Sequence, residues 1–195
     1  DELAGLGVFH ALADEANGGL GGTGYDLMCV FEELGRALSP EPVLGQAMAA
    51  QLLSAAQADT SALLDGVSRY AVANGEPDAS YDLGEISARV EGGKLTGRKS
   101  VVYGGGSADR VLVAARDGGV LGVYEVAGNA AEVISYAMID GGGAAEMIFD
   151  DVEVECLIAD GAGALQDALD AGALALCAEA LGAMDVTYAY LLDYL

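Results

Sequence analysis

The sequence predicts an α+β protein in which helices come first, a β region fills the middle and a helix closes the chain. Three observations predict it. Apolar residues recur at helical spacing before about residue 68 and again after about residue 163. Between these zones, short β-branched runs are bounded by Gly and Asp, the pattern of strands joined by tight turns. No ten-residue helical segment separates those runs, which favours an antiparallel sheet or barrel over βαβ units. With 195 residues, 53% of them hydrophobic, the chain can bury a core.

In the first zone Leu27, Val30, Phe31, Leu34 and Leu38 share one helical face. Asp26 stands where a cap belongs, and Ser39-Pro40 with Pro42 ends this helix and opens the next. A second helix covers 43–57, and Asp59-Thr60-Ser61 starts a short third one through Leu64. In the middle zone "SVVY", "RVLVAA", "GVLGVYEV" and "EVISYAM" read as strands. From Gly163 onward the chain reads as one long helix. Leu165, Leu169, Leu174, Cys177, Leu181 and Met184 form its apolar stripe, and Gly172 and Gly182 allow close packing. Glu179, Asp185 and Asp193 interrupt the apolar run, so it reads as a buried helix and not a membrane span. One helix cannot bury that stripe alone, so an assembly is expected.

Eight Lys and Arg face 31 Asp and Glu, giving a net charge of -23 that disfavours nucleic acid and anionic membranes as partners. After Arg116 no Lys or Arg occurs at all. The acidity has two readings: a salt-adapted surface, or acidic faces that meet a basic partner subunit. Cys29, Cys156 and Cys177 are far apart, without CxxC or Cys/His spacing, so no zinc site is expected. They read as buried thiols in a reducing compartment. The acidic start shows no secretory signal, so the expected location is cytoplasmic.

Gly19-Leu20-Gly21-Gly22-Thr23-Gly24 satisfies the dinucleotide pattern G-x-G-x-x-G letter for letter. That pattern works only between a buried strand and a helix. Here "HALADEAN" precedes it, and Asp14 and Glu15 would repel a pyrophosphate. The glycines read instead as a tight loop into the following helix. His10, the only histidine, reads as a packed helix residue and not a triad member. Asp150-Asp151 could serve as paired carboxylates but reads as a strand-edge turn.

The three-zone order and five strings together resemble the acyl-CoA dehydrogenase family. "GGLG" with "EELGRAL" is similar to that family's first-domain signature, and "GEPDASYD" to its E-P-G-A-G-S-D loop. "GKLTGRKSVVYGGGSADRVLVAAR" resembles the G-x-x-x-x-G-x-K-x-W-I-T-N segment and the strand after it. "IFDDVEV" resembles the F-x-D-V-x-V strand, and "AEALGAMDVTYAYLLDYL" the first helix of the final bundle. The resemblance implies an N-terminal helical domain at 1–68, a middle antiparallel β-barrel domain at 69–158 and the first helix of a C-terminal helical domain at 159–195. It also implies that the chain stops before most of that last domain, where the catalytic base lies in most members. No residue is therefore named as base. It places the Gly19–Gly24 loop along the wall of the acyl pocket.

The implied chemistry is α,β-dehydrogenation of an acyl-CoA thioester with FAD. The implied partners are the acyl-CoA substrate, an electron-transfer flavoprotein or similar acceptor, and further subunits in a homo- or hetero-oligomer. Carried over by position, Val72, Asn74, Gly75, Val101 and Tyr103 would face the flavin, and Tyr81 and Asp82 the substrate. Val101 stands where the family has Trp, Tyr103 where it has Thr, and Tyr81 where it has Ser. Val cannot stack as Trp does, and the Tyr hydroxyl lies much farther from the backbone. Without the resemblance, Tyr103 would pack in the β region and Lys99 would be a strand-end surface charge. Three functional readings stay open: a flavin-dependent acyl-CoA dehydrogenase; a non-catalytic, flavin-poor partner subunit of a heteromeric one, as in actinobacterial steroid degraders; and, more weakly, an acyl-CoA oxidase or nitroalkane-oxidase-like relative.

Overall fold

The computed structural model describes residues 2–79 and 82–195. Two single-turn helices, α1 (Glu2–Gly5) and α2 (Val8–Ala11), lead into the glycine loop and α3 (Gly24–Ala37). The helix cap is Thr23 and not Asp26. Asp26 sits one turn in, and its carboxylate reaches back to accept the Thr23 N–H at 2.7 Å and hydroxyl at 2.8 Å. Leu27 and Phe31 are buried, while Leu38 takes a left-handed φ of 49° as C-cap and is exposed. Next come α4 (Val43–Ala55) and the short α5 (Ser61–Leu64). Helix α4 buries residues around most of its circumference because it lies between α6 and the sheet.

Eight strands follow: β1 (Tyr70–Ala73), β2 (Arg89–Glu91), β3 (Lys94–Tyr103), β4 (Arg110–Asp117), β5 (Val120–Ala127), β6 (Glu132–Ala137), β7 (Gly143–Glu153) and β8 (Glu155–Ile158). Their order is β6-β7-β3-β2-β4-β5-β8, with β1 joining beside β4. Here the expected antiparallel barrel is corrected. The sheet is mixed, because β1 and β2 both run parallel to β4, and it is open, because the end strands β6 and β8 do not pair. The adjacent pairs β2–β3, β4–β5 and β6–β7 are antiparallel, as short turns require. The parallel pairs join segments some 40 and 27 residues apart, and no local pattern announces them.

Strand β4 is buried on both faces. Leu112 and Ala114 join the core shared with Leu52, Leu53, Leu63 and Leu64 of the helical layer. Val111, Val113 and Ala115 join a second core with Val102, Met147 and Phe149, over which the sheet curls on itself.

Helix α6 (Ala162–Tyr194) runs along α3 and touches α4. Its buried face is Leu165, Ala168, Gly172, Ala175, Ala178 and Gly182. Of the expected stripe, Leu165 is buried and Leu169 partly so, but Leu174, Cys177, Leu181 and Met184 point outward. The cause is backbone proximity: a Cβ on Gly182 would overlap the Glu32 carbonyl, and one on Gly35 the Glu179 carbonyl. Only small residues fit that seam, so the large apolar ones face away.

The three cysteines are exposed, a second correction: Cys29 and Cys177 lie on outer helix faces and Cys156 on the edge strand β8. Asp150 and Asp151 sit within β7 and not in a turn, where the β3–β7 register slips and Asp151 takes a φ of 54°.

Candidate functional site

Strand β1 ends at Ala73, and the chain turns outward through Asn74 and Gly75. The Gly75 carbonyl accepts the Ser100 N–H at 2.9 Å, docking this loop on the middle of β3. Glu76 turns inward. Its carboxylate accepts Lys99 Nζ at 2.8 Å, the Ser87 N–H at 2.9 Å, the Ser87 hydroxyl at 2.6 Å and the Ala88 N–H at 2.9 Å. Lys99 is fully buried and also donates to the Asn74 carbonyl at 3.3 Å. Burial pushes the Glu76 carboxyl up, but the bonds from Lys99, Ser87 and Ala88 outweigh it and hold it at about 2. Burial also lowers the Lys99 ammonium, against the pull of Glu76. The pair ties the loop after β1, the lead-in to β2 and the centre of β3 together. Lys99 is thus a buried strut and not the surface charge its local sequence suggests.

One residue further, β3 bulges. Lys99 pairs with Met147 and Val102 with Ala145, so Ser100 and Val101 oppose the single residue Glu146. The Glu146 carboxylate fills the gap, accepting the Ser100 hydroxyl at 2.7 Å and Arg98 Nε at 3.1 Å. The Ser100 bond is the largest cause of its lowered pKa. Val101 is forced to a φ of 52°, a genuine outlier for a β-branched residue, and its side chain is 55% exposed.

Ser100 and Val101 line a cleft of about 640 Å3 with Asn74, Gly75, Pro77 and Asp82 and with Gln166 and Leu169 of α6. Four of the seven expected site residues therefore meet here: Asn74, Gly75, Val101 and Asp82. Val72 lies in the core beneath the helical layer. Tyr103 donates its hydroxyl to Asp140 at 2.6 Å, and burial together with that bond raises the phenol to about 12. Tyr81 falls outside the described residues. The Asp82 carboxylate accepts the Gly84 N–H at 2.7 Å and caps the one-turn helix Leu83–Glu85. Sequence reasoning missed Ser87 and Glu146; each acts at long range and carries no local signal.

A second cleft, of about 600 Å3, opens among α3, α4 and α6. Ala47, Ala50 and Ala171 line it, Gln51, Ser54 and Asp167 supply polar groups, and Gly22, Thr23 and Gly24 of the glycine loop line it too. The loop's amides are turned elsewhere: Gly19, Leu20 and Gly21 N–H groups donate to the Asp14, His10 and Ala13 carbonyls. That geometry removes the donors a phosphate cradle would need. His10 lies partly buried with Nε2 3.4 Å from Asp65.

A flavin dinucleotide in the first cleft would need free hydrogen-bond donors for its ring edge and cations for its pyrophosphate. The Ser100 hydroxyl is engaged by Glu146, the Tyr103 hydroxyl by Asp140 and Lys99 by Glu76. Among the described residues no Lys or Arg lines the cleft, whereas Asp82 and Glu76 do. A pyrophosphate would meet carboxylates without a cation. The residues present do not by themselves fit the whole group. Among the described residues no cluster of His, Cys, Asp and Glu is placed to hold a metal, and no helix is long and apolar enough to cross a membrane.

A helical layer, a curled mixed sheet and a closing helix thus make up the fold, and the first cleft lies between the sheet and the closing helix. No family model matches the chain. Over 96 residues it is 35% identical to the acyl-CoA dehydrogenase IpdE2 of Mycobacterium tuberculosis, covering 47% of this chain and 30% of that protein. The structure matches the Tcur3481-Tcur3483 steroid ACAD G363A variant with a TM-score of 0.79 and 26% identity, over 93% of this chain and 52% of that one. It matches butyryl-CoA dehydrogenase from Megasphaera elsdenii with a TM-score of 0.83 and 22% identity, over 99% of this chain and 59% of that one. The chain thus spans just over half the length of these solved structures, and less of the curated relative. The chain is thus similar to acyl-CoA dehydrogenases over part of its sequence and shares their fold over the length it spans.

Proposed function

We propose that the chain is a subunit of a heteromeric acyl-CoA dehydrogenase and is its flavin-poor member. The assembly's reaction is FAD-dependent α,β-dehydrogenation of an acyl-CoA thioester, with electrons passing to an electron-transfer flavoprotein or similar acceptor in the cytoplasm. This chain shapes the site and leaves most of the flavin binding to its partner. The single observation that carries the reading is the cleft beside Val101. It is held by the Glu76–Lys99 pair and the Glu146 clamp, yet the Ser100 hydroxyl is engaged by Glu146, Lys99 by Glu76, and the charged residues that line it among the described ones, Glu76 and Asp82, are acidic.

The solved relative named as a Tcur3481-Tcur3483 pair supports a heteromeric setting. The cleft among α3, α4 and α6 supports a place for an apolar acyl body, because alanines and glycines along it leave room. Asn74, Gly75 and Val101 are proposed to border whatever part of the flavin reaches this subunit, and Asp82 to lie toward substrate. Val72 and Tyr103 would act one step back, through the core and through Asp140. The experiment is expression of the chain alone and together with the polypeptides encoded beside it. Bound flavin in the lone chain would overturn the flavin-poor reading.

A further inference from the structure

Arg116 is the last basic residue of the chain, and it is not among the residues that line the cleft beside Val101. Six other cations pair with carboxylates: Arg36, Arg69, Arg89, Arg98, Lys99 and Arg110. Arg116 gives its N–H groups to backbone carbonyls. Its Nε donates to Ile86 at 2.9 Å, one terminal nitrogen to Leu83 and Gly84 at 3.0 Å each, and the other to Gly119 at 2.8 Å. Its backbone N–H donates to the Ala88 carbonyl at 2.8 Å, where β4 runs beside β2.

Three of those carbonyls belong to one short segment, and Asp82, Leu83 and Ile86 of that segment line the cleft. It opens with the one-turn helix Leu83–Glu85, closed at its start by the Asp82 carboxylate, which accepts the Gly84 N–H at 2.7 Å. A single turn does not hold itself in water, and its last carbonyls have no partner inside it. Arg116 takes the Leu83 and Gly84 carbonyls and then that of Ile86. The bond to Gly119, in the turn between β4 and β5, fixes the guanidinium on its own hairpin, so the fork ties the segment to a strand buried on both faces. Beyond Ile86 the Ser87 and Ala88 N–H groups are anchored on Glu76. The cleft edge from Asp82 to Ile86 thus has two anchors, Arg116 along its length and Glu76 at its end.

We propose that Arg116 is a positioning residue of the cleft: without touching the bound thioester, it sets the Asp82–Ile86 edge against which an acyl-CoA lies. The role rests on the reading of this cleft as part of an acyl-CoA dehydrogenase site, and it names the residue outside the cleft that gives that edge its shape. It needs the fork and not the charge alone. A Lys ammonium is a point charge on a flexible stem, with three donors for four carbonyls.

The test uses the co-expressed assembly with Arg116→Gln, Arg116→Lys and Arg116→Ala. Dye reduction is measured with butyryl-CoA, octanoyl-CoA and cyclohexanecarbonyl-CoA, and hydrogen exchange of the segment 82–88 is followed by mass spectrometry. Arg116→Gln should raise KM about tenfold and change kcat less than about twofold, because a loosened edge weakens ground state and transition state alike. Exchange should quicken in 82–88 and stay unchanged elsewhere in the chain. Arg116→Lys, the milder change, should still raise KM about threefold or more. Millimolar guanidinium added to Arg116→Ala should recover part of the lost KM. Asp59→Ala, which takes an acceptor from the Ser61 N–H at the start of α5, is the destabilised control and should leave KM as it is. A wild-type KM in Arg116→Gln, or in Arg116→Lys, overturns the inference in an assembly that is active. So does exchange that quickens throughout the chain, which would make Arg116 a general support of the fold. A wild-type assembly that turns over none of the three thioesters overturns the dehydrogenase reading and this role with it, so the two failures are distinguishable.

Discussion

Replacing Glu76 by Gln removes the carboxylate that faces the fully buried Lys99 ammonium. Lys99 Nζ then keeps the Asn74 carbonyl at 3.3 Å and a neutral amide in place of a charge at 2.8 Å. Removing one partner of a buried ion pair costs about 3–5 kcal/mol, because the other charge stays desolvated. For a chain of this size that lowers Tm by roughly 6–20 °C, at about 2–4 °C per kcal/mol. Lys99→Met should cost less, about 2–3 kcal/mol, since the Glu76 carboxylate keeps three donors from Ser87 and Ala88. The double variant Glu76→Gln/Lys99→Met leaves neither charge buried, so its loss should fall at least 2 kcal/mol short of the two singles added together. Urea unfolding of the four proteins gives these values. Its pH dependence gives a second reading. Glu76 has a folded pKa of about 2, below its ordinary 4.5. Its contribution is therefore complete above pH 4.5 and lost as pH falls through 2, and it is on the order of 3 kcal/mol. Glu76→Gln should flatten that acid limb. Single losses under about 1 kcal/mol, or losses that add, would refute the strut.

Tyr103→Phe should cost only about 1 kcal/mol, because Asp140 is at the surface. It should let the Asp140 carboxyl rise toward its ordinary value, since the Tyr103 bond is the largest cause of its lowering; a side-chain NMR titration reads this. Gly35→Ala and Gly182→Ala should each destabilise by about 1–3 kcal/mol or more through overlap with a backbone carbonyl across the α3–α6 seam. Gly163→Ala, with open space around its Cβ position, should instead stabilise by about 0.5 kcal/mol in the same melts. Thr23→Ala removes one half of the capping box on α3 and should cost about 1 kcal/mol.

The helices were legible because α3, α4 and α6 are written in local periodicity, and the limits of α6 fall within a residue of the expected start. The hairpin strands β4, β5 and β6 were legible for the same reason. What the local pattern hid was distance. The parallel neighbours of β4 come from β1 and β2, and an open, mixed sheet follows from pairings no short window contains. The outward turn of Leu174, Leu181 and Met184 had the same origin. Those residues form a good apolar face by periodicity, but Gly35 and Gly182 bring the α3 and α6 backbones too close for them to lie between. At the site, the motif strings located Asn74, Gly75, Asp82 and Val101 on one cleft. They could not reveal that Lys99 is buried against Glu76, 23 positions away, or that Glu146 holds the bulge that turns Val101 outward. Tyr103 was placed by its spacing after Lys99. Its long side chain carries the hydroxyl to Asp140 instead, which spacing alone does not encode.

The central claim is that this chain builds an acyl-CoA dehydrogenase site with a partner and does not hold the flavin by itself. Flavin absorbance near 450 nm and acyl-CoA-dependent dye reduction, measured on the chain purified alone and on the co-expressed assembly, test it most directly. A colourless, inactive lone chain and a yellow, active assembly containing it are the predicted result. A lone chain that purifies yellow and dehydrogenates acyl-CoA would contradict it.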